Sequence, residues 1–379
     1  MKIAIFHNFL DNIGGAEIVT LILAKELNAD IYTTNIDKEK IKKMGFTESL
    51  NRIYSIGKIP KNAPFRQQLT LWKFSRLKLK NKYEVYIISG DWAITGAINN
   101  KPNLWYVYSP IREIYDLKNY VKRNMMPFWK RPIFNIWANY NIKSNKKYVK
   151  NINLIVSISK IVQLRVKYYF NRDSEIISPP IDTINYEYKK NGNYWLSVNR
   201  LINHKRVEIQ LKAFEKLPLE KLIIVGSYEG ASYFQKYANH IKKIKPKNVE
   251  IKNWIDSYEL KELYSNCKGF ITTSLNEDFG LTPVEAMASG KPIIAPNEGG
   301  YKETVINGKT GVLIDDINVD KLKDAIEKLS DELKSKKNQQ HFKTECQKQA
   351  KKFNKEIFMK KINEKLEEVL KTKNENRKK

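Results

Sequence analysis

The chain has 379 residues, of which 42% are apolar, so it can build more than one hydrophobic core and is not a disordered protein. Its 68 Lys and Arg residues exceed its 41 Asp and Glu residues by 27, so we expect an anionic partner; lysine bias in the source proteome would explain part of this charge. Two cysteines and no Cys/His cluster exclude a disulfide framework and a zinc site, and no apolar run reaches the ~18–20 residues of a membrane span.

The opening residues, MKIAIFHNFL, are typical of a strand and carry no signal-peptide cleavage pattern, so we expect a cytoplasmic protein. Short apolar runs then alternate with amphipathic segments. The first series of predicted strands lies at 2–6, 29–34, 85–90, 103–109 and 154–159. The second series lies at 194–199, 221–226, 249–253, 267–274 and 291–296. Continuous apolar runs are typical of parallel strands buried on both faces, so the sequence predicts two doubly wound α/β domains.

A segment rich in Pro, Asn and polar residues, 178–193, separates the two series. We therefore predict an N-terminal acceptor-binding domain over 1–185 and a C-terminal nucleotide-sugar-binding domain over 186–350. A C-terminal helix and basic tail would occupy 351–379. Apolar residues at helical spacing over 353–370 predict the helix, which we expect to pack back across the domain junction.

The stretch NEDFGLTPVEAMASGKPIIA, residues 276–295, places Glu277 just past the C-terminal end of a predicted strand, the edge where ligands bind in open α/β sheets. Thr282 is predicted to be the N-cap of the following helix, with Pro283 in its first turn. Glu285 has two interpretations: the second member of a capping box, or a carboxylate that accepts hydrogen bonds from sugar hydroxyls. Gly280 and a helix N-terminus that can bind phosphate favour the second, with a nucleotide-sugar as ligand.

The run E-D-F-G-L-T-P-V-E resembles the Glu-x7-Glu signature of glycosyltransferase family 4, retaining enzymes with the GT-B fold of two Rossmann-like domains facing a cleft. Further motifs occur in the expected order along most of the chain. They are NIGGAE (12–17), VNRLINHK (198–205), VGSYEG (225–230), NWID (253–256) and NEGGYKETVINGKTGVLID (297–315).

The resemblance implies roles for individual residues. Arg200 and Lys205 would bind the diphosphate and stabilise the leaving group, as expected of an Arg at the end of a strand. Glu277 would contact the donor sugar, and Glu285 the nucleotide ribose. The remaining donor-binding residues would be Gly14, Gly15, Gly226, Trp254, Phe279, Gly280, Leu281 and Thr282. No metal and no cofactor would be needed. Front-face displacement is favoured over Glu277 as a nucleophile.

The segment WYVYSPIREIYD, 105–116, departs from the family pattern. Tyr108 stands where members carry a His, while Arg112 keeps the pattern, and both are expected on the acceptor or sugar side. His7, at the end of the first strand, is either a substitute for the missing imidazole or a structural histidine.

The Lys205–Arg206 pair, where many members have Lys-Gly, and SPPID at 178–182 are similar to the mannosyltransferase branch that uses GDP-mannose, although UDP-sugars remain open. Two acid-free segments combine Lys and Arg with aromatic residues: seven cations in 58–80 and nine in 117–150. We expect them either to dock on the inner membrane leaflet and present a lipid-linked acceptor, or to form part of the core. The alternatives are an enzyme with a soluble sugar or glucan acceptor and a non-catalytic nucleotide-sugar binder. A nucleic-acid-binding protein is disfavoured because the chain has no nucleic-acid-binding motif.

Overall fold

The computed structural model describes residues 1–80, 82–227, 232–253 and 255–378. The chain divides into two compact units. The first comprises Met1–Ser178 and Met359–Lys379, and the second comprises Pro179–Phe358.

The first unit is built on a parallel sheet of seven described strands in the order β3-β2-β1-β4-β5-β6-β7. These are β1 (Ile3–Phe6), β2 (Asp30–Thr33), β3 (Ile53–Ser55), β4 (Val85–Ile88), β5 (Asn103–Val107), β6 (Leu154–Ser157) and β7 (Glu175–Ile176). Its helices are α1 (Gly15–Glu26), α2 (Lys38–Lys43), α3 (Phe65–Arg76), α4 (Lys118–Asn124), α5 (Arg131–Val149) and α6 (Lys160–Phe170). All four residues of β1 and of β4 are buried, as expected for central parallel strands covered on both faces.

The second unit contains a parallel sheet of six described strands in the order β10-β9-β8-β11-β12-β13. These are β8 (Tyr194–Arg200), β9 (Lys221–Ser227), β10 (Val249–Lys252), β11 (Gly269–Ile271), β12 (Ile293–Pro296) and β13 (Gly311–Ile314). Its helices are α7 (Val207–Glu215), α8 (Ser232–Ile244), α9 (Ser257–Asn266), α10 (Leu281–Ala288), α11 (Tyr301–Thr304), α12 (Val319–Glu332) and α13 (Lys336–Ala350). Trp195, Phe214 and Ile326 lie in its continuous hydrophobic core.

The last helix, α14 (Lys355–Lys378), begins within the second unit, and its residues from Met359 onward belong to the first. The two parallel sheets with their flanking helices confirm the predicted α/β fold of two doubly wound domains. The strands that the sequence did not predict are β3, β7 and β13, each at an edge of its sheet.

Strand order reverses between β1 and β4 in the first sheet and between β8 and β11 in the second. Ligands of open α/β sheets bind beyond the carboxyl ends of the strands at such reversal points. The segments that leave these strands are therefore where each unit is expected to bind a ligand.

Candidate functional site

Two predicted catalytic residues of the second unit meet beyond the carboxyl ends of β8 and β11. Lys205 closes a short 3-10 turn, Asn203–Lys205, and its Nζ lies 2.5 Å from Oε2 of Glu277. Both side chains are largely buried. Backbone contacts hold the two segments together, because Leu275 N donates to the His204 carbonyl at 2.8 Å and Thr273 Oγ1 donates to the Lys205 carbonyl at 2.8 Å. The structure therefore places a cation and a carboxylate side by side at the predicted edge.

Arg200 is the last residue of β8 and is exposed, so its guanidinium leaves the sheet at the same edge. The loop after it turns back at once, with Ile202 N donating to the Arg200 carbonyl at 2.9 Å. Gly226 on β9 is paired in register beside Asn199. A Cβ at Gly226 would lie 2.8 Å from Cγ of Leu201, so this glycine allows the β8 loop to pack closely. Trp254 lies outside the described residues.

The helix that follows Glu277 does not begin as predicted. Thr282 is the second residue of α10 and not its N-cap; the cap is Gly280, which has φ 91° and makes no side-chain cap hydrogen bond. Only glycine adopts this left-handed conformation readily, and a Cβ there would lie 2.7 Å from the Tyr301 ring. The capping-box interpretation of Glu285 is therefore wrong. Leu281 and Thr282 are the first two helical residues, so their backbone N–H groups have no partner within the helix.

Glu285 instead points to two tyrosines from distant parts of the second unit. The Tyr264 hydroxyl donates to Glu285 Oε2 at 2.8 Å, and the Tyr186 hydroxyl also bonds this carboxylate. Burial raises the pKa of Glu285, and the two hydroxyl donors and the charge of Lys261 offset part of that rise. A carboxylate held in this way is positioned to accept hydrogen bonds from neutral hydroxyl groups.

A second ion pair, which the sequence did not predict, braces the loop that carries Glu277. Arg206 has a left-handed backbone, with φ 49°, and its guanidinium donates to Glu298 Oε1 at 2.6 Å, to the Thr273 carbonyl at 2.6 Å and to the Ser274 carbonyl at 3.1 Å. Glu298 in turn accepts from Asn276 N at 2.9 Å. The Lys205–Arg206 sequence could have indicated this contact. Many family members have glycine at the second position, and glycine is the residue that a positive φ favours.

Phe279 and Gly299 form the other side of that loop. Phe279 is buried and meets Phe353 edge-on, with ring centroids 5.3 Å apart. Gly299 has φ 59°, and a Cβ on it would lie 2.4 Å from the Glu277 carbonyl oxygen. Gly300 N donates to that same carbonyl at 2.7 Å. Two glycines therefore fix the backbone position of Glu277.

In the first unit, Gly14 is the N-cap of α1 and Gly15 its first residue, at the carboxyl-end side of β1. Beneath α1 lies a buried polar cluster. Thr20 Oγ1 lies 3.2 Å from His7 Nδ1, 2.6 Å from Ser89 Oγ and 3.2 Å from the Tyr108 hydroxyl. Burial lowers the pKa of His7 to about 4, so this imidazole is neutral at physiological pH.

Tyr108 uses its hydroxyl within this cluster and also donates it to the Ala16 carbonyl at 3.1 Å. Burial raises the pKa of the Tyr108 phenol. Arg112 forms a two-point contact with Asp116, at 3.0 and 2.9 Å, and Arg165 shares that carboxylate at 3.3 Å. Tyr108 thus takes part in anchoring the start of α1, and Arg112 shares the Asp116 carboxylate with Arg165 of α6.

Among the residues that the structure describes, no group of three or more His, Cys, Asp or Glu side chains is placed to hold a metal ion. The described helices also include none with the length and apolar character needed to cross a bilayer.

Residues 182–353, which contain the Lys205–Glu277 pair and Glu285, match the model of the Glycosyl transferases group 1 family. This part of the chain is a glycosyltransferase domain. The resemblance seen in the sequence is confirmed.

The chain is similar to the alpha-1,3/1,6-mannosyltransferase ALG2 of Dictyostelium discoideum, with 25% identity over 83% of this chain and 86% of the relative. It is 26% identical to ALG2 of Kluyveromyces lactis, over 81% of this chain and 71% of the relative. The O-antigen chain mannosyltransferase RfbU of Salmonella typhimurium is 29% identical over 49% of this chain and 56% of its own length.

Solved structures match the chain over nearly its whole length. Anabaena HepE in complex with UDP-glucose gives a TM-score of 0.75 over 97% of this chain and 100% of that chain, at 16% identity. Sucrose-phosphate synthase from Thermosynechococcus elongatus gives 0.74 over 98% and 99%, also at 16% identity. At this identity the likeness establishes the fold alone, and it confirms the predicted GT-B fold.

Proposed function

We propose that the chain is a retaining glycosyltransferase of family 4 that transfers mannose from GDP-mannose to a lipid-linked or polysaccharide acceptor at the cytoplasmic face of the membrane. The observation that carries the proposal is the Lys205–Glu277 pair beside the start of α10, at the reversal point of the second sheet. A nucleotide-sugar has a diphosphate for the cation and sugar hydroxyls for the carboxylate.

The leaving group would be stabilised without a metal. Breaking the bond between the anomeric carbon and the phosphate oxygen leaves negative charge on the nucleotide diphosphate. Arg200, Lys205 and the free N–H groups at the start of α10 supply positive potential where this charge develops. An acceptor hydroxyl would attack from the face that the phosphate leaves, and its proton would pass to the departing phosphate oxygen. The anomeric configuration is then retained.

The remaining donor contacts follow from the same edge. Glu285 would accept hydrogen bonds from the ribose hydroxyls, and Tyr264 and Tyr186 would keep its carboxylate oriented. In the first unit, Gly14 and Gly15 would approach the donor, and Tyr108 and Arg112 would lie on the acceptor or sugar side. The names of the mannosyltransferase relatives support mannose as the donor sugar.

A UDP-sugar donor with a soluble sugar or glucan acceptor is the second candidate, because the matched structure of Anabaena HepE holds UDP-glucose. One experiment separates the two. Calorimetric titration with GDP, UDP and ADP should give the tightest binding for GDP. Glu285→Ala should weaken that binding at least tenfold, whereas Glu250→Ala, which removes an exposed carboxylate of the same unit, should leave it unchanged.

A preference for UDP would retain the transferase and redirect the search to UDP-sugars. If no nucleotide binds, or if Glu285→Ala binds GDP as tightly as the wild type does, the proposed donor site is wrong.

A further inference from the structure

Helix α5 carries apolar side chains on two opposite faces. The inner face buries Phe134, Ala138 and Val149. The opposite face is a row of large apolar residues that are 59–72% exposed, at spacings of four, three and four residues. We call it the outer row of α5; its members are Ile133, Ile136 and Tyr140 of the helix and Trp129 of the 3-10 turn Phe128–Lys130 that leads into it. Such spacing places side chains on one side of a helix, in a stripe about 16 Å long.

The outer row continues into cations. Lys143 and Lys147 follow Tyr140 at helical spacing and are both exposed. Lys130 lies beside Trp129, with its Nζ 4.7 Å from the ring centroid. The whole segment 117–150 contains nine Lys and Arg residues and no Asp or Glu. A single helix face therefore combines an aromatic and aliphatic stripe with uncompensated positive charge.

Helix α3, which contacts α5, also carries exposed aromatic residues beside cations. Phe65 and Trp72 are seven residues apart, on one face of α3, and both are exposed. The Trp72 ring is covered by the Arg76 guanidinium, 4.1 Å from the centroid. The Gln68 side-chain amide donates to Oδ1 of Asn141 at 3.0 Å, and Asn141 is buried, so this bond joins α3 to the inner face of α5.

We propose that the outer row of α5 inserts into the interface of an anionic lipid bilayer. Trp and Tyr beside Lys are typical of helices that lie in the plane of a membrane surface. A second copy of this chain is a poor occupant, because pairing two such faces would bring their cations together without acids to neutralise them. Anionic headgroups supply the missing charge, and the acyl boundary takes up the apolar stripe. The membrane contact rests on the proposed function in one respect only, which is that the acceptor is linked to a lipid.

Flotation of the purified full-length protein with phosphatidylcholine vesicles, with and without 30% phosphatidylglycerol, tests the proposal. We expect binding to the anionic vesicles at least tenfold stronger than to the neutral ones. The triple variant Trp129→Ser/Ile133→Ser/Ile136→Ser should reduce that binding at least tenfold. The matched control is Tyr168→Ser, which removes an aromatic side chain of α6 that is 83% exposed, and it should have no effect.

The contribution of charge is tested separately. Lys143→Gln/Lys147→Gln should weaken binding to anionic vesicles about 25-fold, since each lysine near such a surface contributes roughly fivefold in affinity and the two factors multiply. Lys336→Gln/Lys337→Gln, two exposed lysines of the second unit, should change it less than twofold.

Three outcomes would overturn the proposal: no vesicle binding, equal binding to neutral and anionic vesicles, or binding that survives the triple serine variant. Light scattering that shows a dimer of the wild type and a monomer of the triple variant would instead assign the row to a second copy. Nucleotide calorimetry without vesicles keeps the two proposals apart. GDP binding without vesicle binding removes only the membrane surface, and the converse result removes only the donor site.

Discussion

Substitutions at Arg206 test whether the backbone that braces the loop carrying Glu277 is strained. An L-residue in the left-handed region costs roughly 1–2 kcal/mol, and Arg206 lies there with φ 49°. Both Arg206→Gly and Arg206→Ala remove the three side-chain hydrogen bonds, one of which is the ion pair to Glu298. Only glycine also removes the strain. We therefore expect the alanine variant to be about 1 kcal/mol less stable than the glycine variant.

Lys216 is the matched control, because it lies at the end of α7 with φ −82° and ψ −5°, in the ordinary right-handed region. There the order should reverse, with alanine more stable than glycine by about 0.5–1 kcal/mol. Thermal unfolding followed by circular dichroism resolves such differences, since 1 kcal/mol shifts Tm by about 2–4 °C in a domain of this size. If Arg206→Ala melts at or above Arg206→Gly, the strain argument is refuted.

Three further outcomes follow from the site. Burial raises the pKa of Glu285 above 4.5. The wild type should therefore lose stability relative to Glu285→Gln as pH rises from about 4.5 through the raised pKa. Tm measured at pH 4 and pH 7 for both proteins checks this. Burial lowers the pKa of His7 from 6.5 to about 4. The free energy of unfolding should therefore fall by about 3 kcal/mol as pH falls from 6.5 to about 4. Urea unfolding of His7→Asn should show no such pH dependence. Gly299→Ala should lower Tm and weaken nucleotide-sugar binding, because its Cβ would collide with the Glu277 carbonyl. Gly308→Ala has a positive φ but no atom within 4 Å of its Cβ, so it should lower Tm less and leave binding intact; equal effects of the two alanines would contradict the collision.

The central strands could be predicted from the sequence because parallel strands buried on both faces appear as continuous apolar runs. Two of the edge strands, β3 and β7, could not. β7 has two residues and β3 has three, of which two are exposed, so neither forms an apolar run of recognisable length. The position of Glu277 followed from the predicted strand before it, since the rule for ligand edges depends only on strand direction.

The start of α10 and the partners of Glu285 required the three-dimensional structure. Thr-Pro-Val-Glu has the composition of a capping box, but packing of Gly280 against Tyr301 moved the cap two residues earlier. Tyr264 and Tyr186 are distant from Glu285 in the chain, and no local pattern predicts such contacts. Likewise, α5 is apolar on both faces, so periodicity alone could not separate the core face from the exposed one.

Lys205 and Glu277 neutralise each other's charge at the proposed donor site. A bare nucleoside diphosphate that bound Lys205 would break the 2.5 Å ion pair between two largely buried side chains, which is costly. A nucleotide-sugar gives both side chains a new partner at once, phosphate for the lysine and hydroxyls for the carboxylate. The pair would therefore discriminate in favour of the intact donor over its own product, so that the spent nucleotide leaves after the sugar has been transferred.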